Sequence, residues 1–331
     1  MKSHSSVRGL ADAPLRTLVV LGKNSDDGDK NWLKSGIVGH IVRFKGAAPS
    51  GYRRRSRMLG LGLDSAVVAF MAAWFGGPYL AMNPWVAVAL RCLGKRDVAV
   101  IGLYAEPGSR SFKVLRRVLA DSPVVTTVAV EANAWVAAGG RATEVLYGNT
   151  FHYPAHQLNN LDGMQIFVGG SSDRDAKVIR LLEAEVRSAR SAATLVIVAA
   201  EEPQTWSDGK NAVLRTGYVS AERFGELLAA SDVVFLPLKQ GVRAAGHMVT
   251  VGALESGVPV FTTPSIGMKG YVDGHVVREI EPDQALLPQL REYVIGQNPV
   301  AIRAHWQNCF SQRAFIARVG AALQQLENRG P

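Results

Sequence analysis

The chain has few cysteines and lacks the short motifs that mark several enzyme classes. Its 331 residues include two cysteines, Cys92 and Cys309, and no CxxC or paired Cys/His spacing, so we expect no metal site of the zinc type. No P-loop, GxGxxG motif or Ser-His-Asp order is present. Two distant cysteines in apolar surroundings predict buried, reduced thiols in a cytoplasmic protein; a disulfide between them is the alternative. We expect no cofactor.

Long apolar runs are also missing. The longest, residues 66–75, is half the length of about 20 residues that a membrane-spanning helix needs. We therefore predict a helix over 56–75, with Asp64 near its middle, and no transmembrane segment. The first sixteen residues contain no apolar core of the kind found in signal peptides.

Acidic residues are outnumbered by basic ones, 28 to 37, which gives a formal net charge of +9. Such a balance points to anionic partners: nucleotide phosphates, acidic lipid or nucleic acid. The chain has no RNA-binding motif, so we expect no nucleic acid. The dense cluster Arg53, Arg54, Arg55 and Arg57 precedes the apolar run 66–75. This order predicts peripheral docking on an anionic membrane surface, at its cytoplasmic face; a buried helix with an ordinary basic cap is the alternative.

What the chain does contain is an alternation of short Val- and Ile-rich runs with stretches of helical spacing. Each run ends in a Gly, Ser or Pro cluster, which predicts parallel strands joined by helices that cover both faces of a sheet. We predict an α/β protein with two Rossmann-like doubly wound domains, residues 1–155 and 156–303. The apolar stripe in 304–331 predicts a terminal helix that packs toward the first domain.

The expected elements can be given by number. Strands are predicted at 17–21, 36–44, 79–82, 98–102, 124–130, 145–148, 165–169, 194–199, 213–216, 232–236 and 259–262. Helices are predicted at 56–75, 84–93, 111–119, 173–188, 221–230, 247–256, 284–296 and 304–328. Residues 22–32 are predicted to form a polar loop, and residues 149–163 an interdomain linker without regular structure.

The second half also carries motifs at a characteristic order and spacing. These are the Val-Gly pair at 168–169, Gly-Tyr-Val-Ser at 217–220, Ser-Asp-Val-Val-Phe-Leu-Pro-Leu at 231–238, the Ala-to-Val run 253–260 and Val-Asp-Gly at 272–274. Together they resemble the carboxyl-terminal domain of GT-B glycosyltransferases, in particular the large retaining family that uses nucleotide-diphosphate sugars. The resemblance covers about residues 165–275 well and the first half weakly.

The resemblance implies a specific activity. A sugar would move from a nucleotide-diphosphate sugar, held by the second domain, to a hydroxyl of an acceptor held by the first across a cleft, with retention and without a metal. The acceptor would be a glycan, a lipid-linked molecule or a small molecule. The two glutamate slots of the family fall on Ala244 and Gly252, and its arginine slot on Gly170. The alternatives are a non-catalytic nucleotide-sugar binder and a peripheral membrane-binding protein.

Candidate site residues follow from the ends of the predicted strands, where a doubly wound sheet binds its ligand. Phosphates are expected at glycine-rich turns and helix starts, and a base beside Tyr218. The expected donor-binding residues are Gly169, Gly170, Ser171, Arg174, Lys177, Gly217, Tyr218, Val219, Arg243, Gly246, Met248 and Val249. The expected catalytic residues are His247, Lys239 and Glu255, and the expected acceptor-binding residues are Lys23, Asp26, Glu106 and Glu131. Solvated surface charges are the alternative for each cation, a structural role is the alternative for His247, and simple loop packing is the alternative for Tyr218.

Overall fold

The computed structural model describes residues 14–22, 26–45, 54–156, 163–200, 202–241 and 245–328; for residues 26 and 54–59 it describes the backbone alone. The chain divides into two compact units. The first contains Met1–Val145 and Ile316–Pro331, and the second contains Leu146–Phe315. Each unit is built on its own sheet.

The first unit contains a six-stranded parallel sheet in the order β2-β1-β3-β4-β5-β6. Its strands are β1 Arg16–Leu21, β2 Val38–Phe44, β3 Tyr79–Ala81, β4 Val98–Ile101, β5 Pro123–Thr126 and β6 Arg141–Glu144. Its helices are α1 Asp26–Leu33, α2 Arg54–Ala73, α3 Pro84–Cys92, α4 Arg110–Leu119 and α5 Ala129–Ala137. The central strands are buried on both faces, as expected for a sheet covered by helices.

The second unit contains a seven-stranded sheet in the order β13-β12-β11-β7-β8-β10-β9, in which β9 runs antiparallel to its neighbour and the other pairs are parallel. The strands are β7 Met164–Val168, β8 Ala193–Ile197, β9 Gln204–Ser207, β10 Ala212–Arg215, β11 Val233–Leu236, β12 Val260–Thr262 and β13 Val277–Glu279. The helices that follow β7 are α6 Ala176–Arg187, α7 Ala221–Ala229, α8 His247–Ser256, α9 Leu286–Val294, α10 Pro299–Cys309 and α11 Gln312–Asn328.

The structure corrects three expectations in the first unit. The stretch 22–32, predicted as a polar loop, contains most of α1, in which the buried Trp32 packs inward. The run 124–130, predicted as one strand, divides into β5 and the start of α5, because its β-branched residues continue past the end of the strand. The last strand is β6 at Arg141–Glu144 and not 145–148.

Other expectations are corrected in the second half. Strands β9 and β13 are absent from the sequence prediction: β9 is a largely exposed edge strand and β13 has only three residues. The helix predicted over 304–328 is two helices, α10 and α11, separated at Phe310 and Ser311. Ser311 donates its hydroxyl to the Gln307 carbonyl and accepts from the Ala314 N–H, so it caps the second helix where the first one ends.

The unit boundaries fall at 145/146 and 315/316, whereas the expected domain boundaries are 155/156 and 303/304. Residues 149–156 lie with the second unit, since His156 donates its N–H to the Ser256 carbonyl. Cys92 is exposed and Cys309 is half-buried, so the expectation of two buried thiols was wrong; neither forms a disulfide. Within the described ranges, no helix has the length and apolar character needed to cross a membrane.

Candidate functional site

The strand order of the second unit has a switch point beside β7. From β7 the chain continues to β8 on one side, and after β10 it returns to β11 on the other side. The loops that follow β7 and β11 therefore diverge at the carboxyl ends of two neighbouring strands and leave a crevice. In doubly wound sheets this is the place where ligands bind. The predicted donor-binding residues that the structure describes lie in these loops, at the helix starts beside them and in the loop after β10.

The loop after β7 is held by a half-buried arginine. The Arg174 side chain donates from Nε and Nη2 to the Gly169 carbonyl, at 2.9 and 2.6 Å, and from Nη1 to the Ser172 carbonyl at 2.9 Å. No carboxylate in the described part of the chain forms an ion pair with it. Burial lowers the pKa of Arg174 to about 10, and nearby Asp173 partly offsets this. The guanidinium therefore stays charged at neutral pH, and its five N–H groups exceed the three bonds that it makes to the loop.

Helix α6, which follows this loop, does not supply the expected phosphate site. It begins at Ala176, and the Asp175 side chain accepts the Lys177 N–H at 2.8 Å. The first turn is thus capped by a carboxylate of the protein, which disfavours a second anion there. Lys177 is exposed in that turn. Residues 169–174, which we call the Arg174 loop, must therefore bind an anion through the Arg174 side chain and the backbone N–H groups of the loop.

Helix α8 begins with an open first turn at the same crevice. Its N-cap is Gly246, in the left-handed conformation with φ 83°, and no side chain among the described residues caps the helix. The first turn has no acidic residue, and Met248 within it is exposed. A Cβ on Gly170 would lie 2.8 Å from Arg174 Nη2 and 3.5 Å from Val249 Cγ2. The loop that contains Arg174 and the first turn of α8 are therefore direct neighbours.

Two exposed side chains border the same crevice. Tyr218, which follows β10 and Gly217, is 83% exposed, and its hydroxyl donates to the Ser171 hydroxyl at 3.1 Å. Its ring is thus held beside the loop after β7 with a face open to a ligand. Lys239 follows β11, and its N–H bonds to the Asp173 carbonyl, so its exposed side chain starts from the edge of that loop. Val219 beside Tyr218 is half-buried.

His247 occupies the first position of α8, but its side chain points into the protein. The imidazole is buried, its Nε2 lies 2.6 Å from the Gly267 carbonyl, and its ring stacks on Tyr271 at 4.3 Å between centroids. The carbonyl can only accept, so Nε2 carries the proton. Burial lowers the pKa of His247 to about 4, which keeps the ring neutral. The geometry assigns the His247 side chain to holding the start of α8 in place.

Glu255, expected to act in catalysis, lies at the other end of α8. Eight residues separate it from His247, which is about 12 Å along a helix. Its buried carboxylate accepts the N–H groups of Phe151 and His152 at 2.8 and 2.9 Å. Burial raises the pKa of Glu255, and these two bonds oppose the rise. The geometry therefore assigns Glu255 to fixing the segment 149–156.

The glycine in the second glutamate slot of the family has a structural reason. A Cβ on Gly252 would lie 2.8 Å from Tyr153 Cε2, and one on Gly225 would lie 2.4 Å from Tyr153 Cδ1. The ring of Tyr153 thus fills the space beside both glycines and stacks on Phe151 at 5.1 Å. A glutamate at position 252 would require this ring to move.

Several positions singled out in the sequence cannot be placed. Lys23, Arg243 and Ala244 lie outside the described residues, and of Asp26 only the backbone is described, as the first residue of α1. The Asp-Gly-Asp run at 27–29 lies within α1, where its two carboxylates pair with Lys30 and Arg43. No group of three His, Cys, Asp or Glu side chains suited to a metal occurs among the residues that the structure describes.

The two remaining predicted residues belong to the first unit. Glu106 is exposed in the loop after β4. Glu131 is buried in the first turn of α5, and not at the end of a strand. Sequence reasoning missed Tyr104, an exposed ring with φ 50° that lies over Gly102. Burial of the phenol oxygen and then the Glu131 carboxylate raise the pKa of Tyr104. A tyrosine close after a strand-end glycine was the available signal.

A cavity of about 570 Å³ lies elsewhere, at the amino edge of the first sheet, with α11 as one wall. Two of the arginines that line it bind to the protein itself: Arg16 pairs with Asp97 and Glu327, and Arg141 donates to the carbonyls of Asp121 and Leu326. Helix carboxyl ends, which carry partial negative charge, meet at this edge of a parallel sheet. The partial negative charge at this edge therefore disfavours a nucleotide phosphate there.

Comparison with known proteins concerns the family and the fold. Residues 164–292 match the family of glycosyl transferases group 1. No curated protein sequence matches the chain. A glycosyltransferase from Rickettsia africae superposes with a TM-score of 0.65 at 13% identity, covering 96% of this chain and 100% of that one. Sucrose-phosphate synthase from Thermosynechococcus elongatus gives 0.62 at 18%, covering 87% and 84%. Anabaena HepE, solved with UDP and glucose, gives 0.61 at 14%, covering 94% and 99%. These likenesses establish the GT-B fold.

Proposed function

We infer that this chain, a nucleotide-sugar-dependent glycosyltransferase of the GT-B fold whose residues 164–292 match the group 1 family, binds the donor diphosphate in the crevice between the Arg174 loop and α8. One observation carries the proposal: a half-buried guanidinium that forms no ion pair with any described residue adjoins a helix start that no described side chain caps, at the switch point of the sheet. Both features stabilise anions. The base would rest against Tyr218, and the sugar would extend toward the acceptor.

The same groups would assist the chemistry. As the bond from the sugar to the diphosphate breaks, negative charge grows on the leaving phosphate. Fixed N–H groups of the α8 first turn and the cations Arg174 and Lys239 would stabilise that charge without reorganisation. The family resemblance favours retention at the anomeric carbon. We further propose that the acceptor binds at the carboxyl edge of the first sheet, near Tyr104 and Glu106.

The donor proposal is tested by calorimetric titration with UDP-glucose and other nucleotide-diphosphate sugars. Lys239→Ala should weaken binding of the nucleoside diphosphate by roughly 1–3 kcal/mol if it contacts a phosphate. Lys210→Ala is the matched control, because Lys210 precedes β10 at the opposite edge of the same sheet and bonds to the Arg190 carbonyl. Equal affinities for both variants and the unaltered chain would remove Lys239 from the site.

A non-catalytic nucleotide-sugar binder is the second candidate. Glu255 is engaged by backbone donors, and a glutamate at position 252 would require the Tyr153 ring to move. Position 252, where the family resemblance expects a glutamate, therefore carries no carboxylate, and the Glu255 carboxylate has structural partners. Detection of glycosylated product, or of donor hydrolysis, from a labelled nucleotide sugar distinguishes the two functions. Binding without either reaction, across a panel of acceptors, would favour the binder.

A further inference from the structure

One face of α2 presents a continuous row of large apolar side chains to solvent. Leu63 is 70% exposed, Phe70 is 59% exposed and Trp74, directly after the helix, is 80% exposed. The residues of this row, which we call the α2 apolar face, follow one another at the helical spacings of three and four. Its members are Leu63, Val67, Phe70, Met71, Trp74 and Phe75. Isolated exposed apolar residues are ordinary in proteins, but a contiguous row of this kind marks an interaction surface.

The core of the first unit does not need this face. Val68, Ala69 and Ala72 lie on the other side of α2 and are fully buried. The only charged residue between Arg57 and Phe75 is Asp64, and it is buried as well. A helix that merely packs on its own domain would have charged or polar residues on its outer face. The alternative of an ordinary buried helix with a basic cap therefore accounts for one side of α2 and not for the other.

The charge of the same helix indicates what covers the face. The first turns of α2 contain Arg54, Arg55 and Arg57 and no acidic residue, and the whole chain has a formal net charge of +9. Apolar side chains that include Trp and Phe, combined with arginines on one helix, are the composition of interfacial helices that lie in the headgroup region of a bilayer. Anionic lipid would attract the basic turns while the apolar row is buried.

We propose that the α2 apolar face docks the enzyme on an anionic membrane surface. The helix lies along the surface, its apolar row enters the headgroup region, and its arginine-rich first turns bring positive charge to the lipid phosphates. This goes beyond donor binding and does not depend on it, since the docking residues are in the first unit and the donor crevice is in the second. A lipid-linked acceptor would then be reached from the surface in which it resides.

Sedimentation with lipid vesicles tests the proposal. We expect the protein to pellet with vesicles that contain phosphatidylglycerol and much less with pure phosphatidylcholine. The double variant Phe70→Ser with Trp74→Ser should lower the apparent partition constant by about tenfold or more, because it withdraws two large apolar side chains from the interface. The control is Leu181→Ser with Ile295→Ser, which removes two exposed apolar side chains from the second unit and should bind like the unaltered chain.

A second measurement follows Trp74 directly. All six tryptophans lie in the described residues, and Trp74 is the one that is exposed there. Its emission should shift to shorter wavelength with anionic vesicles, and the shift should vanish in Trp74→Phe. Equal pelleting with both vesicle types, or unchanged binding of the Phe70/Trp74 variant, would overturn the proposal. A dimer in light scattering that the same variant dissociates, without vesicle binding, would assign the face to a second copy of the chain instead.

Discussion

Helices α5 and α8 begin alike and differ in what meets their first turn. Neither helix has a side-chain cap at its start among the described residues. In α5 the first turn contains Glu131, which is buried, so the protein places its own carboxylate near the N–H groups. In α8 the first turn has no acidic residue, and exposed Met248 lies within it.

A third helix extends the contrast. Helix α9 also lacks a cap of its own, and there the Glu185 carboxylate accepts the N–H groups of Leu286 and Leu287 at 3.0 and 2.7 Å. The positive end of a helix favours a negative partner. Where α5 and α9 receive one from the chain, no described side chain supplies one to α8 at the switch point. The contrast therefore favours the α8 start over the α5 start as the place for a phosphate-bearing ligand.

We expect the largest change in nucleoside diphosphate affinity when the first turn of α8 receives an acidic residue, as the first turn of α5 already has. Met248→Glu places a carboxylate in the open first turn, where it should repel the donor diphosphate. Nucleoside diphosphate affinity should fall about hundredfold or more, since like charges held together cost several kcal/mol. Titration calorimetry measures it, with Met248→Gln as the uncharged control. Similar affinities for the two variants would show that the diphosphate does not reach this helix start.

The neutral imidazole at the same helix start gives a pH prediction. The pKa of His247 is lowered from its ordinary value of 6.5 to about 4, so the unfolded chain binds the extra proton. Stability should therefore fall as the pH drops from 6.5 to 4, by up to about 3 kcal/mol from this residue. His247→Phe keeps a ring on Tyr271 and cannot titrate. Urea unfolding at several pH values should show a shallower acid loss in this variant; Glu255, whose raised pKa acts in the opposite direction, is common to both proteins. Parallel curves would contradict the assignment.

Gly170 tests the contact between the Arg174 loop and α8. Gly170→Ala combines a left-handed backbone, φ 81°, with a Cβ that would lie 2.8 Å from Arg174 Nη2. We expect a stability loss of about 1–2 kcal/mol from the backbone conformation together with weaker diphosphate binding. Gly209→Ala is the control, because Gly209 has φ 88° and open space around it. It should lose similar stability and keep its affinity. Equal binding losses in both variants would argue against a local role.

Removing the acid of α5 should have the mildest consequence. Glu131→Gln takes away the negative charge from that first turn, and the free energy of unfolding should fall by about 1 kcal/mol. Glu106→Gln, an exposed acid of the same unit, should change it little. Thermal and urea unfolding provide the comparison. If Glu131→Gln leaves the stability unchanged, this carboxylate does not stabilise the start of α5 in the way that a bound phosphate is proposed to stabilise the start of α8.

Most of the strands and helices could be predicted because the spacing of apolar residues within each short segment indicates its secondary structure. Helix α8 has the bounds 247–256 that the sequence predicts, since Gly246 and Gly257 delimit it. Helix α1 escapes prediction because Trp32 and Leu33 are its only large apolar residues. The break before α11 was not predicted either, although the spacing of the apolar residues changes there. Phe310 and Phe315 are five residues apart, whereas one continuous helix has apolar residues at spacings of three or four.

The roles of individual site residues depend on distant partners, which a sequence does not reveal. Strand ends locate the loops at the switch point. The side-chain partners of His247 and Glu255, in contrast, are the backbone groups of Gly267 and Phe151, far away along the chain. Their pairing is a property of the packed molecule. Residue type and spacing alone therefore favour a chemical role for two side chains that hold structure together.

The first unit consists of two segments of the chain, one before the second unit in the sequence and one after it. This arrangement affects the order in which the protein can fold during synthesis. In α11, a Cβ on Gly320 would lie 2.6 Å from Ile37, and Glu327 pairs with Arg16 of the first strand. A ribosome makes the whole second unit before it releases these residues. The surface of the first sheet that contacts α11 therefore stays exposed until the end of synthesis, although this sheet is made first. Premature termination shortly after residue 315 would leave a finished second unit attached to an unfinished first one.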